Sequence, residues 1–255
     1  MKIGAIVQAR MGSTRLSGKI LLPLGKGTVL SMLLERLKKV ELLKVIVVAT
    51  TKLKEDEAVL EEGRKNGVEV FCGEVDDVLG RYVGAAQQFK IDYIVRVTSD
   101  CPLLYYEGID KLVSLHLKEK ADYSLNSNKS IKFYNTGLPE GTWAEVVTTK
   151  ALLQADGETE DREDREHVTL FLEAHPHRFK IRIFKAPGEV WAPEMRLAID
   201  TREDYLLMQK IYQALYRDGP IPTARAIKFL KENPELLTIN RDIPTKALKR
   251  KMVNE

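Results

Sequence analysis

Four short, mostly apolar runs, Ile3–Val7, Val45–Thr50, Val68–Cys72 and Tyr93–Val97, alternate with amphipathic segments of helix length, and this alternation limits the possible folds more than any other feature. Runs this short and apolar suit buried strands. The intervening helices are read at Thr28–Lys39, with Met32, Leu33 and Leu37 facing inward, at Glu55–Asn66, with Gly67 as a C-cap, and at Asp76–Phe89. A βαβα order implies an α/β fold: a mainly parallel, doubly wound sheet with helices on both faces.

Beyond Ala121 the pattern loosens into a smaller mixed α+β part. Short strands are expected at Asp122–Leu125, Glu145–Thr148, Arg178–Phe184 and Arg196–Ile199, and helices at Arg202–Arg217 and Thr223–Glu232. A polar, turn-rich excursion from Asn126 to Pro139 is placed to cover a substrate or to contact another subunit, and the charged stretch Asp156–Glu166 reads as an exposed helix start. At 255 residues and 44% hydrophobic composition the chain can bury a substantial core. A net charge of +3 is too small to argue for a nucleic-acid partner, and Lys246–Lys251 reads as a solvated basic tail. No apolar run is long enough to span a bilayer, and Arg10 and Arg15 interrupt any secretory pattern, so a cytoplasmic protein without membrane insertion is expected. Cys72 and Cys101 are too few for a disulfide framework and are expected as thiols.

The first strand leads into a loop with a marked charge asymmetry. No acidic residue precedes Glu35, while Gln8-Ala9-Arg10-Met11-Gly12-Ser13-Thr14-Arg15-Leu16-Ser17-Gly18-Lys19 carries three cations, two glycines and three hydroxyls. Such a loop at a strand's carboxyl end can hold an anion: glycines let amides approach a phosphate, Ser13 and Thr14 add donors, and Arg10, Arg15 and Lys19 add charge. It is not a Walker A loop, because Gly12 to Gly18-Lys19 is one residue too long and Ile20 stands where a Ser or Thr is needed. Gly25-Lys26-Gly27 likewise fails the dinucleotide fingerprint.

Two aspartates also follow strand-like runs. Asp100 lies after Tyr93–Val97 and Asp200 after Leu197-Ala198-Ile199. Carboxylates at that edge suit magnesium, a hard cation that shares carboxylate and phosphate oxygens. A helix follows each, so an N-cap role is equally available, as it is for Asp76 and Asp77.

The segment Gln8–Lys19 resembles the N-terminal signature of the sugar-acid cytidylyltransferases, in particular the branch of spore coat polysaccharide biosynthesis protein F. Gly73–Tyr82, Arg96–Leu103, Asp164–Thr169 and Leu197–Tyr205 match further motifs in the same order. The resemblance implies a nucleotide-diphospho-sugar transferase-like fold of the GT-A type in one domain, 1–255, with a nucleotide-binding half (1–125) and an acceptor half (126–255) that could also form a homodimer. It implies CTP and a sugar acid as partners and Mg2+ as cofactor, with CMP transferred and pyrophosphate released in surface or spore-coat polysaccharide synthesis. By position, Arg10, Lys19 and Asp100 would be catalytic, and Asp100 and Asp200 would hold metal. Gln8, Ala9, Arg10, Gly12, Ser13, Arg15, Lys19, Asp77, Arg81 and Thr98 would bind nucleotide, and Trp143, Glu145, Arg165, Glu166 and His167 the acceptor. Ser17, Trp143 and Leu170 depart from the pattern, where proline, aspartate and proline are usual. Trp143 offers an aromatic face in place of a carboxylate, which bears on acceptor choice. A nucleotide-sugar-dependent glycosyltransferase and a non-catalytic nucleotide-binding relative remain alternatives, since a fold does not fix a reaction.

Overall fold

The computed structural model describes residues 1–128 and 134–244. The first half runs β1 (Ile3–Gln8), β2 (Pro23–Leu24), β3 (Gly27–Thr28), α1 (Val29–Leu37), β4 (Val45–Thr51), α2 (Glu57–Lys65), β5 (Glu69–Gly73), α3 (Val78–Gln88), β6 (Tyr93–Thr98), α4 (Ile109–Glu119) and β7 (Tyr123–Leu125). The second half adds β8 (Glu145–Thr148), α5 (Thr149–Glu158), α6 (Arg162–His167), α7 (Leu170–Ala174), β9 (Ile181–Ile183), α8 (Arg202–Leu215) and α9 (Thr223–Glu232).

One seven-stranded sheet, ordered β5-β4-β1-β6-β8-β7-β9, runs through both halves, and β2 and β3 form a separate hairpin. Strands β5, β4, β1 and β6 are parallel, β8 runs antiparallel to both β6 and β7, and β7 pairs parallel with β9. Alternation along β1 shows why the sheet is covered twice. Ile3, Ala5 and Val7 pack in the cluster with Leu30, Leu33, Leu34 and Leu37 of α1, while Ile6 joins Leu79, Tyr82 and Val83 of α3 on the opposite face. A third cluster seats Leu207, Met208 and Ile211 of α8 and Ile227 and Leu230 of α9 against Leu24, Val29 and Met32. That packing brings the late part of the chain to the edge of the first strands.

The early helices start and stop where their capping residues put them. Thr28 accepts from Ser31 N–H at 3.0 Å while the Ser31 hydroxyl accepts from Thr28 N–H at 2.7 Å, so α1 opens with a reciprocal cap. Gly67, at φ 65°, closes α2 in the left-handed region.

Several expectations are corrected. Arg196–Ile199 is not a strand: the Leu197 amide bonds to Glu140 and the Ile199 amide to Asp100, and contacts with two separate segments cannot build a ladder. The strand expected at Arg178–Phe184 shortens to β9. The helix expected after Asp100, for which the sequence set no bounds, is α4, which buries Ile109, Leu112, Val113 and His116. The charged stretch 156–166 holds the end of α5 and the start of α6, and its Asp164 is fully buried, accepting from the Thr159 hydroxyl at 2.8 Å. The ends of the 126–139 excursion knit inward: Asn126 Oδ1 accepts from Ala144 N–H, and Asn128 Oδ1 from Thr136 N–H. Residues 129–133 of that excursion, and Lys246–Lys251, lie outside the described residues. Among the described residues no helix is long and apolar enough to cross a membrane.

Candidate active site

The chain runs from β1 to β4 on one side and later returns to β6 on the other, so the sheet order reverses between β1 and β6. Their last residues, Gln8 and Thr98, are register partners. Ligands of open α/β sheets bind outside the carboxyl ends at this crevice. The basic loop leaves β1 there, and Asp100 leaves β6.

The loop folds on itself. Ala9 N–H bonds to Ala49 O, and the Met11 carbonyl accepts from both Ser13 N–H (2.8 Å) and Gly18 N–H (3.2 Å). Gly18, at φ 64°, takes a conformation that an L side chain rarely adopts and turns the chain so that Lys19 points inward. Lys19 Nζ then reaches Asp100 Oδ2 at 2.6 Å, Asp200 Oδ1 at 2.7 Å and the Ile199 carbonyl at 2.6 Å. Burial opposes the charge on Lys19, but the two carboxylates outweigh it and hold its pKa above the ordinary value. For Asp200, burial is likewise outweighed by Lys19, then Arg15 and Arg196, and the carboxyl is held down at about 2. Arg15 pairs with Asp200 at 2.9 Å.

Neither aspartate caps a helix. Thr201 caps α8, its hydroxyl accepting from Asp204 N–H, and the next short helix after Asp100 starts only at Tyr106. A group that sequence reasoning missed fixes Asp200 from behind: Arg196 reaches Asp200 Oδ2 at 2.6 Å, Asp204 Oδ1 at 3.0 Å and Glu140 Oε1 at 2.8 Å. Gly141 makes this approach possible, because a side chain there would strike the Ala198 backbone at 2.3 Å. In sequence, Glu140 and Arg196 are far apart, with no periodicity linking them.

Two adjoining recesses open around these groups. One, of about 640 Å3, is lined by Gln8, Ala9, Arg10, Gly12, Ser13, Arg15, Lys19, Arg81, Thr98, Glu166 and His167 among others. The other, of about 230 Å3, has Arg96, Cys101, Ser127, Glu140, Trp143, Glu145, Thr169 and Glu173 in its wall. Gln8, Arg15, Thr98, Asp100, His167 and Asp200 line both, so the two spaces meet at the carboxylate pair. In the first, Arg81 is buried and its pKa is lowered by that burial and then by the nearby charge of Arg10. Two guanidiniums that disfavour each other suit an anion between them. Arg81 also donates to the Glu74 and Val75 carbonyls, which fixes the turn before α3.

In the second recess Glu145 is committed to its neighbours: Arg96 NH1 lies 2.9 Å from both carboxylate oxygens, and the Thr169 hydroxyl donates to it at 2.9 Å. The half-buried Trp143 forms part of the wall and donates its indole N–H to Leu138 O at 3.3 Å. Asp77 and Arg165, expected at nucleotide and acceptor, line neither recess. Asp77 caps α3 by accepting from Gly80 N–H and receives both Nε and NH2 of Arg165, at 2.8 and 2.6 Å, while Arg165 also holds Asp156. The pair ties α3 to α6.

The donor set suits magnesium. Asp100 and Asp200 present hard carboxylate oxygens to one point, where the Lys19 ammonium also lies, beside a recess lined by cationic and hydroxyl side chains. Among the described residues no group of three or more His, Cys, Asp or Glu side chains forms a metal cage. Two carboxylates with room for phosphate oxygens match how magnesium is held with a nucleotide.

A cationic loop and a carboxylate pair at the switch point of a mainly parallel sheet are the setting of a nucleotide-handling α/β protein. A family profile described as Cytidylyltransferase matches residues 4–240, and the chain belongs to that family. An uncharacterized protein of Methanocaldococcus jannaschii is 39% identical over 97% of this chain and 98% of its own length. The spore coat polysaccharide biosynthesis protein SpsF of Bacillus subtilis is 32% identical over 91% and 95%. Among solved structures, a cytidylyltransferase from Leptospira borgpetersenii superposes with a TM-score of 0.85 at 33% identity, covering 96% of this chain and 99% of that one. CMP:2-keto-3-deoxy-manno-octonic acid synthetase complexed with CTP superposes at 0.61 with 15% identity, over 83% and 98%, a likeness of fold alone.

Proposed function

We propose that the protein transfers CMP from CTP to a hydroxyl of a sugar acid, with release of pyrophosphate, in the synthesis of a surface polysaccharide. One observation carries this reading: the larger, cationic recess and the smaller, hydrogen-bonding one share a wall at Asp100 and Asp200, where a reacting α-phosphate would meet an acceptor. The CTP bound to a protein of the same fold supports the donor, and the SpsF relative supports the pathway.

In this reading the acceptor oxygen bonds to the α-phosphorus, the bond from that phosphorus to the β-phosphate's bridging oxygen breaks, and pyrophosphate leaves with the electron pair. The hydroxyl proton passes to solvent. Arg10, Arg15, the Gly12 amide and the Ser13 hydroxyl hold the phosphates, so charge building on the leaving group meets donors already in place. Lys19 starts on the two carboxylates and can turn its ammonium to a phosphate oxygen without leaving the junction. Asp100 and Asp200 would hold Mg2+, which when bound neutralises phosphate charge and polarises the reacting centre. Trp143 presents an apolar face on the acceptor side, suited to the less polar side of a sugar.

Pyrophosphate release from each of the four ribonucleoside triphosphates, assayed with Mg2+ and a panel of sugar acids, tests the proposal. Release from CTP with one or more of the acids is expected. Release from another triphosphate instead, or from none while a nucleotide sugar is consumed, would replace it.

A further inference from the structure

We infer that Asp56, which lines neither recess, is a positioning residue that sets the phosphate loop for the triphosphate; this rests on the cytidylyl-transfer reading. Met11 is the knot of the loop. Its carbonyl takes the amides of Ser13 and Gly18, so the hydroxyl-bearing turn and the glycine that launches Lys19 both hang from it. Its own N–H leaves the loop and donates to Asp56 Oδ1 at 2.6 Å. The second carboxylate oxygen accepts from the hydroxyl of Thr51, the last residue of β4, and Thr51 Oγ1 in turn accepts from Leu53 N–H at 3.2 Å. A continuous set of bonds therefore runs from the end of a core strand to the centre of the loop.

Two facts separate this from an ordinary helix cap. Asp56 ends a 3-10 turn, Lys54–Asp56, that runs straight into α2, so its backbone is already helical, and its side chain makes no capping bond but turns to the loop. It is also 1% exposed. A buried carboxylate near an anion site opposes the anion and loses hydration, so it is tolerable only when donors saturate it. Both oxygens here are taken by donors, one belonging to the loop itself. Since Arg10 and Gly12 flank Met11, rotation of the Met11 peptide would swing the Arg10 side chain and the neighbouring amides away from the phosphates.

The test compares Asp56→Ala with Asp56→Asn in the full chain. The asparagine carbonyl can still accept from Met11 N–H, and its amide can donate to the Thr51 hydroxyl. Loss of a charge-assisted bond at this knot should raise the dissociation constant for CTP about tenfold in Asp56→Ala, while Asp56→Asn stays within about threefold of wild type, both by calorimetry. In the nucleotide-free protein, hydrogen exchange at the Met11, Ser13 and Gly18 amides should quicken in Asp56→Ala and remain slow in Asp56→Asn. A folded Asp56→Ala with wild-type loop exchange and CTP affinity, or one that only melts earlier, would overturn the inference. If Asp56→Ala does not fold, Thr51→Val removes the hydroxyl that orients the carboxylate, and unchanged loop exchange there is equally decisive against it. Failure of the wild type to bind CTP would sink the function reading instead, and the exchange rates would still judge Asp56.

Discussion

Lys19 and Asp200 meet at 2.7 Å across 181 residues of sequence, and Asp100 closes on the same ammonium at 2.6 Å. The cation at this junction is thus a side chain. Under the proposed function, metal and triphosphate should bind as a coupled pair, the phosphates drawing Lys19 off the carboxylates as the metal takes its place. A titration with Mn2+ as a paramagnetic probe should show weak binding to the nucleotide-free wild type and stronger binding with CTP. Lys19→Ala should bind Mn2+ more tightly than wild type without nucleotide, while losing about 1.5 to 3 kcal/mol of triphosphate affinity. Equal Mn2+ affinity in both nucleotide-free proteins would contradict the coupling.

Asp200 should make stability depend on acid. Its folded pKa of about 2 lies below the ordinary 3.8, so its contribution is complete above the unfolded value and is lost as pH falls from about 4 toward 2. Allowing for solvent screening of a partly exposed group, it amounts to about 1 to 2 kcal/mol. Asp200→Asn should melt lower than wild type at neutral pH, and the gap should shrink below pH 4. Parallel melting curves at every pH would refute the assignment.

The Arg165 and Asp77 pair is tied to the helices and stands apart from both recesses. Arg165→Ala should cost about 1 kcal/mol of stability, as expected for a partly exposed bidentate pair, and leave the CTP dissociation constant unchanged. A clear loss of CTP affinity or a rise in acceptor KM with normal melting would return Arg165 to the binding site.

Trp143 is half-buried in the wall of the smaller recess, and its hydrogen bond to the Leu138 carbonyl holds the ring in place. Trp143→Ala should raise the acceptor KM roughly three- to tenfold, the worth of an aromatic contact, with CTP affinity unchanged. Trp143→Asp, which introduces a carboxylate there, should shift the preference among sugar acids. An acceptor profile indifferent to both substitutions would make Trp143 a packing residue only.

The parallel half of the sheet was legible in the sequence because strand runs and amphipathic helices have periods of their own, and burial on both faces demands them. The basic loop was equally legible, since its cations, glycines and hydroxyls are contiguous in the chain. Even α9 and β8 were bounded from local pattern alone. What the tertiary structure decided were the choices between identical local chemistries. Asp200 and Asp77 each precede a helix, yet Asp77 caps one and Asp200 does not, because Thr201 intervenes and Arg196, Lys19 and Arg15 claim the Asp200 carboxylate. Arg165, in a charged helix start, braces α3 and α6, while Arg196, read as the head of a strand, backs the carboxylate pair. Asp56 falls inside the helix read at Glu55–Asn66, and only the folding of β4 and the basic loop around it gives its carboxylate its partners. Periodicity tells which way a side chain faces. Its partner there is set by packing among segments far apart in sequence, which only the folded chain brings together.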